Sequence, residues 1–210
     1  MSEPAPEPDP GPRQAHYFAT PAGSAEHRSL RVTLAGRDVE VVTADGVFSG
    51  GRLDLGTRVL LREVPAPPIG DLLDLGCGWG PLALTMGLLA PGADVWAVDV
   101  NERALALTRS NAARLTLPRV RACLPQEVPD DVRFVAIWSN PPIRVGKAEL
   151  HRMLLQWLPR LTPDGVAYLV VQRHLGADSL HSWLQTELGP QMSVTRAGSA
   201  KGYRVLRLAR

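Results

Sequence analysis

Cysteine is nearly absent from this 210-residue chain. Only Cys77 and Cys123 occur, too few for a disulfide framework and without the spacing of a metal-ligand set, which fits a reducing cytoplasm. The histidines, His16, His27, His151, His174 and His181, show no paired ligand spacing either, so no metal is expected. Lysine is scarce, with two against 21 arginines, a bias that goes with abundant Ala, Gly and Pro and reflects a G+C-rich genome more than a function. The formal charge of +2 is too small to imply a nucleic-acid partner by itself. Long apolar runs are missing too. The stretch from Gly80 to Ala93 has fourteen residues, short of the roughly 18 to 20 that a membrane helix needs. The first residues are acidic and proline-rich, with no basic n-region or apolar h-region, so they are not read as a signal peptide. A soluble, cytoplasmic protein is expected.

What is present is the composition of an ordinary globular domain, 45% hydrophobic and 21% charged, long enough for one domain with a small extension. Residues 1–14 alternate Pro with Ala, Glu, Asp and Gly and are expected to form a disordered tail. Residues 15–68 read as an N-terminal extension packing on the main domain. Within it, VTL and VEVVT, divided by GRD and followed by ADG, suggest a small β unit over about Arg31 to Ser49. GVFSGGRLDLGTRVLL then leads through a glycine-rich loop into a helix starting near Asp54. Residues 69–210 alternate short apolar strands with helical segments, from DLLDLG through PLALTMGLLA and DVWAVDV to GVAYLVV. That pattern predicts an α/β fold whose parallel sheet is covered on both faces. The last two strand candidates, MSVTRA and YRVLRLA, are joined by a loop short enough only for an antiparallel hairpin.

Two motifs carry chemistry. In DLGCGWG, Asp74 to Gly80, the glycines at 76, 78 and 80 allow a tight turn and close approach of a ligand at a helix N-terminus. The spacing G-x-G-x-G differs from the G-x-G-x-x-G of dinucleotide sites, because Pro81 occupies the third position. Asp99 ends the next strand, where a carboxylate can accept two ribose hydroxyls. The alternative role for Asp99 is a helix N-cap, for which Asn101 also qualifies. The second motif is SNPPIR, Ser139 to Arg144. Tandem prolines end the strand and fix Asn140 in an extended conformation at a rigid polar corner.

The glycine corner, the acid after the second strand and the N-P-P corner together resemble the class I S-adenosylmethionine-dependent methyltransferases. More narrowly, NPPIRVGKAELHRML, GVFSGGRLDLGTRVLL, HYF at His16 to Phe18 and KGYRVLR at Lys201 to Arg207 resemble the methyltransferase small-domain family related to 16S ribosomal RNA guanine-N2 methyltransferases. The resemblance covers about His16 to the C-terminus. It implies a Rossmann-like methyltransferase sheet and S-adenosyl-L-methionine as cofactor, held by Asp74, Gly76, Cys77, Gly78, Gly80, Asp99, Val100, Gln126 and Asn140. The five Trp are read first as core or surface packing, with adenosine cover the alternative for Trp79, inside the glycine loop. It also implies a catalytic Asn140–Pro141–Pro142 corner acting on an exocyclic amine. The amine's lone pair is delocalised, so acceptors that bind its hydrogens as it becomes pyramidal, the Asn140 side-chain oxygen and the Pro141 carbonyl, stabilise the transition state. The substitution Asn140→Asp is expected to be mild, since a carboxylate still accepts both hydrogens.

The chain departs from the family at Ile143, where most relatives carry an aromatic that stacks on the target base. It departs again at Cys123, near where an Asp is common, so Gln126 or a backbone group is the substitute contact for adenine. Ile143, Arg144 and Phe48 are the expected substrate contacts, with Asp54 to Arg58 near ligand. The expected partner is RNA, with guanine N2 in 16S ribosomal RNA or a small-subunit particle the first choice. The five basic residues and no acid from Gln191 to Arg210 are a candidate phosphate surface. Competing readings are a protein glutamine N-methyltransferase and a cofactor-binding module without base methylation. Nothing in the sequence separates monomer from dimer.

Overall fold

The structure is a computed structural model that describes residues 27–47 and 52–210. The expected tail over 1–14, the HYF stretch and Phe48 lie outside the described residues. Strands β1 (His27–Leu34) and β2 (Arg37–Ala44) pair antiparallel along their whole length. Their turn is only Ala35 and Gly36, at φ 52° and 72°, the geometry whose twist suits a two-residue hairpin. Arg37 and Asp38, expected in that turn, therefore belong to the strand.

The main sheet has seven strands: β3 (Asp71–Leu75), β4 (Asp94–Val98), β5 (Val120–Cys123), β6 (Phe134–Ser139), β7 (Leu161–Gln172), β8 (Ser193–Ala200) and β9 (Tyr203–Ala209), in the order β5-β4-β3-β6-β7-β9-β8. Strands β3 to β7 are parallel, and β9 runs antiparallel to both its neighbours. The fold class expected from the alternation is thus the one observed. The last hairpin is tighter than GSAKG suggested: β8 runs to Ala200, with a bulge between Arg196 and Gly198, and Lys201–Gly202 alone make the turn.

Helices α1 (Leu55–Glu63), α2 (Pro81–Leu89) and α3 (Glu102–Arg114) cover one face, and α4 (Lys147–Trp157) and α5 (Ala177–Leu188) the other. Successive strand residues point to opposite sides, so Leu72 joins Leu60 and Leu82 in one core while Leu73 joins Leu154 and Leu184 in the other. The β1–β2 hairpin is fastened to the first face by Asn111. This fully buried side chain accepts from the Val42 amide (2.7 Å) and donates to the carbonyls of Val42 (2.9 Å) and Trp79 (3.0 Å). No helix among the described residues is long and apolar enough to cross a membrane.

The parallel strands all end on one edge of the sheet, at Leu75, Val98, Cys123, Ser139 and Gln172. Because β9 is antiparallel, its first residue, Tyr203, is brought opposite Gln172 on that same edge. Ligands of open α/β sheets bind in the crevice outside these carboxyl ends.

Candidate active site

A cavity of about 810 Å³ opens on this edge, within the range of small-molecule sites. On one side it is lined by Gly76, Gly78, Asp99, Val100, Pro125 and Gln126, and on the other by Asp54, Asn140, Ile143, Gln156, Gln172 and Tyr203. The glycine loop is held by the amides of Gly76 and Cys77, which donate to the Val98 carbonyl at 2.8 and 3.0 Å. A side chain at Gly78 (φ 57°) would project into open space, and one at Gly76 would touch only Pro142, so these two glycines leave bare backbone facing the cavity. Gly80 has another reason to lack a side chain: a Cβ there would meet Thr108 at 2.9 Å, preventing close packing of the loop on α3. Gly80 does not line the cavity.

Asp99 and Asn101 divide the two roles that the sequence left open. Asn101 is the N-cap of α3, accepting from the amides of Arg103 (3.0 Å) and Ala104 (3.4 Å). Asp99 is thereby free of capping and lines the cavity, its carboxylate accepting from Gly78 N (2.9 Å) and Asn101 N (2.9 Å). Burial raises its pKa, and the amides of Asn101, Gly78 and Val100 oppose that rise.

Asp74 is fully buried. Its Oδ2 accepts from Ala83 N in the first turn of α2 (2.8 Å), while Oδ1 has no partner among the described residues. Burial pushes its pKa up to about 8, against the Ala83 hydrogen bond and with the Asp99 charge adding to the rise. Asp74 and Cys77 flank a second void of about 20 Å³, shared with Thr57 and Asn140, rather than the large cavity. The Cys77 thiol points at Thr108 Oγ1 (3.7 Å) and is held neutral by burial. Of the two readings for Trp79, packing is the one observed: it is only 1% exposed and part of the core beneath the hairpin, and its carbonyl accepts from Asn111.

The proline corner is tied to the glycine loop by Ser139, whose buried hydroxyl donates to the Leu75 carbonyl at 2.6 Å. Asn140 Nδ2 donates to Asp54 Oδ2 (2.8 Å) and to Thr57 Oγ1 (3.1 Å), both at the start of α1. Its Oδ1 has no donor among the described residues. The Pro141 carbonyl, expected to be a free acceptor, already takes the Ile143 amide at 2.9 Å, leaving its second lone pair for a ligand. Ile143 packs half-buried against the α4 side of the core and also lines the cavity, and Arg144 follows it in a short 3₁₀ turn.

Sequence reasoning missed the wall that α4 and β9 contribute. The aromatic residues among the cavity's lining are Trp157, 1% exposed, and Tyr203, half-buried. Topology was the available signal, since an antiparallel last strand must begin where the parallel ones end. The basic C-terminal surface is also smaller than expected. Arg204 is largely buried and paired with Asp178, Arg196 lies 3.6 Å from the same carboxylate, and Arg210 donates to the carbonyls of Pro159 and Leu161. Lys201 stays exposed at the hairpin turn. His151 stacks on Trp183 (centroids 3.4 Å apart) outside the cavity lining, and no group of three metal-ligating side chains occurs among the described residues.

This geometry has counterparts among known proteins. YbxB of Bacillus subtilis is 30% identical over 197 residues, covering 91% of this chain and 96% of its own length. Ribosomal RNA large subunit methyltransferase G of Shewanella sp. (strain W3-18-1) is 33% identical over 147 residues, 65% of this chain, which spans only 39% of that protein. Among solved structures, the T. thermophilus 16S rRNA N2 G1207 methyltransferase RsmC, in complex with AdoMet and guanosine, superposes with a TM-score of 0.76 over 90% of this chain at 24% identity. This chain covers 52% of that one, and the likeness shows the shared fold. Residues 38–207 match the methyltransferase small domain as a unit, and the chain belongs to that family.

Proposed function

We propose that this chain transfers a methyl group from S-adenosylmethionine to an exocyclic amine of an RNA base, with guanine N2 in 16S ribosomal RNA as the leading target. The observation that carries the reading is the Asn140 carboxamide at the cavity's lip, its nitrogen occupied by Asp54 and Thr57 and its oxygen left open. An acceptor fixed there meets the hydrogens of an amine that becomes pyramidal as it reacts, an interaction stronger in the transition state than in the ground state.

The residues present fit the cofactor. Bare backbone at Gly76 and Gly78 would accommodate its nucleoside, Asp99 would offer ribose acceptors, and Val100 and Gln126 would contact the adenine. Asp74, with its unpartnered Oδ1 behind the loop, would help hold the methionine end. When bound, the cofactor supplies an electrophilic methyl group and a thioether leaving group, so the protein's task is alignment rather than activation. Residues 15–68 take part through α1, which reaches the catalytic corner from the extension.

With an aliphatic Ile143 after the prolines, Tyr203 offers the aromatic face for a captured base. Lys201 lies two residues before it at the exposed hairpin turn, where a phosphate contact is expected. The T. thermophilus neighbour supports guanine N2, since it is a guanine-N2 methyltransferase held with guanosine. The test is methyl transfer from labelled donor to total RNA and to ribosomal proteins from cells lacking the gene. N2-methylguanosine in digested RNA is expected. Label on a glutamine side chain would move the substrate to protein, and cofactor binding without transfer to either would make the chain a binding module.

A further inference from the structure

We infer that Asp54 and Thr57 are positioning residues that set which way the Asn140 carboxamide faces, so that the N-terminal extension completes the catalytic corner. The inference rests on the amine-methylation reading for its kinetic arm only.

A carboxamide is nearly symmetric in shape but not in function. Turned by 180° about its last torsion, Asn140 would aim an N–H₂ group at the hydrogens of the substrate amine and bind nothing useful. The wall behind it decides between the two orientations. Asp54 Oδ2 and Thr57 Oγ1 lie 2.8 and 3.1 Å from Nδ2, and an ionised carboxylate can only accept. The reversed amide would set its oxygen against the carboxylate oxygen. Only the orientation with Oδ1 facing the cavity satisfies both groups. Thr57 alone cannot enforce this, because a hydroxyl donates as readily as it accepts.

Asp54 has a second duty that must be separated from this one. The same Oδ2 caps α1 by accepting from Thr57 N at 3.0 Å. Serine caps a helix about as well as aspartate but is one bond too short to reach Asn140. Asparagine both caps and presents an oxygen where Oδ2 now lies. Asp54→Ser therefore isolates the positioning role, and Asp54→Asn is its conservative rescue.

The experiment compares Asp54→Ser, Asp54→Asn and Thr57→Val with the parent protein in melting temperature, cofactor dissociation constant and single-turnover rate on RNA. Asp54→Ser is expected to lower the rate by about 10- to 100-fold, the worth of one charge-assisted hydrogen bond, while cofactor affinity stays within about threefold and melting is little changed. Thr57→Val is expected to cost less, and Asp54→Asn to return the rate to within a few-fold of the parent. In an Asn140→Ala background, Asp54→Ser is expected to add less than about a twofold loss, because the amide it positions is gone. Independent multiplication of the two losses, or an undiminished rate in Asp54→Ser, overturns the inference.

A readout free of activity separates this failure from failure of the functional reading. The Asn140 side-chain amide protons in a ¹H–¹⁵N spectrum are expected to exchange slowly with solvent in the parent and quickly in Asp54→Ser. Equal exchange in both also overturns it. A parent protein that methylates no RNA amine but keeps the slow exchange refutes the function and leaves the positioning standing.

Discussion

Replacing Asn140 by aspartate tests the corner through pH. Taken by itself, a carboxylate in place of the amide accepts amine hydrogens as well as the amide does. Asp54 changes that expectation, because its Oδ2 lies 2.8 Å from the nitrogen that the substitution turns into oxygen. Two unit charges about 4 Å apart repel by roughly 4 kcal/mol at an effective dielectric of about 20. Like charges in contact therefore favour a state in which the pair keeps one shared proton. With one proton, the introduced carboxyl group donates its O–H to Asp54 as the amide did, and its other oxygen faces the cavity. With none, the two groups separate and the acceptor is displaced.

The sign follows directly. At the acid end of the range the Asn140→Asp enzyme is expected to run within about tenfold of the parent, and its rate relative to the parent is expected to fall as pH rises, by up to about tenfold per pH unit once the shared proton is lost. Adding Asp54→Asn removes one of the two charges, so the relative rate becomes flat with pH. Single-turnover methyl transfer between about pH 5.5 and 8.5, each point divided by the parent rate, measures this. A ratio for Asn140→Asp that does not change with pH would mean that the two side chains do not meet in the working enzyme, and the positioning of the amide by Asp54 is then wrong.

Four further outcomes are expected. Asp99→Ala should weaken S-adenosylmethionine by about tenfold or more in calorimetry, since a hydrogen bond to a charged group is worth roughly 1.5 to 3 kcal/mol; unchanged affinity moves the ribose elsewhere. Asp74, whose pKa is raised to about 8, favours the folded state fully below its unfolded pKa near about 4, and that contribution is lost as pH rises from there through 8. Urea unfolding should therefore show a stability loss over this window that Asp74→Asn flattens, and parallel slopes in the two proteins would refute it. Tyr203→Ala should raise the RNA KM by about 10- to 100-fold and Tyr203→Phe should not, if the ring is a stacking face worth roughly 1 to 3 kcal/mol. Lys201→Gln should reduce the salt slope of RNA binding by about one unit, whereas Arg204→Gln, breaking the pair with Asp178, should lower the melting temperature and leave the slope alone.

The sequence shows elements whose signal is local. Strands β3 to β7 are short apolar runs punctuated by Gly, Pro and Asp, and their alternation with helices leaves few topologies. The glycine loop and the proline corner are legible for the same reason, each being written in residues whose backbone geometry is restricted. Trp79 keeps two readings in the sequence because a large aromatic beside a ligand loop has the same local pattern whether it covers the ligand or enters the core. What decides it is Asn111, 32 residues later, drawing in the Trp79 carbonyl. The basic C-terminus is a smaller surface than its charge count suggests for a similar reason, since Asp178, which pairs with Arg204 and lies by Arg196, stands on α5, outside the stretch whose charges were counted.

The Asn140 to Asp54 contact shows why such features escape periodicity. It joins residues 86 positions apart, and each is fully explained locally: Asn140 by the prolines that follow it, Asp54 by the helix that it caps. A residue with a sufficient local reason gives no sign of a second one. On the positioning we infer, the second reason would tie the extension to the corner. The Asn140 amide in the cavity wall has two orientations of nearly equal shape. Among the described residues, Asp54 is the group able only to accept that lies within reach of the Asn140 nitrogen. The extension is therefore expected to matter less for binding the methyl donor than for the rate at which the methyl leaves it.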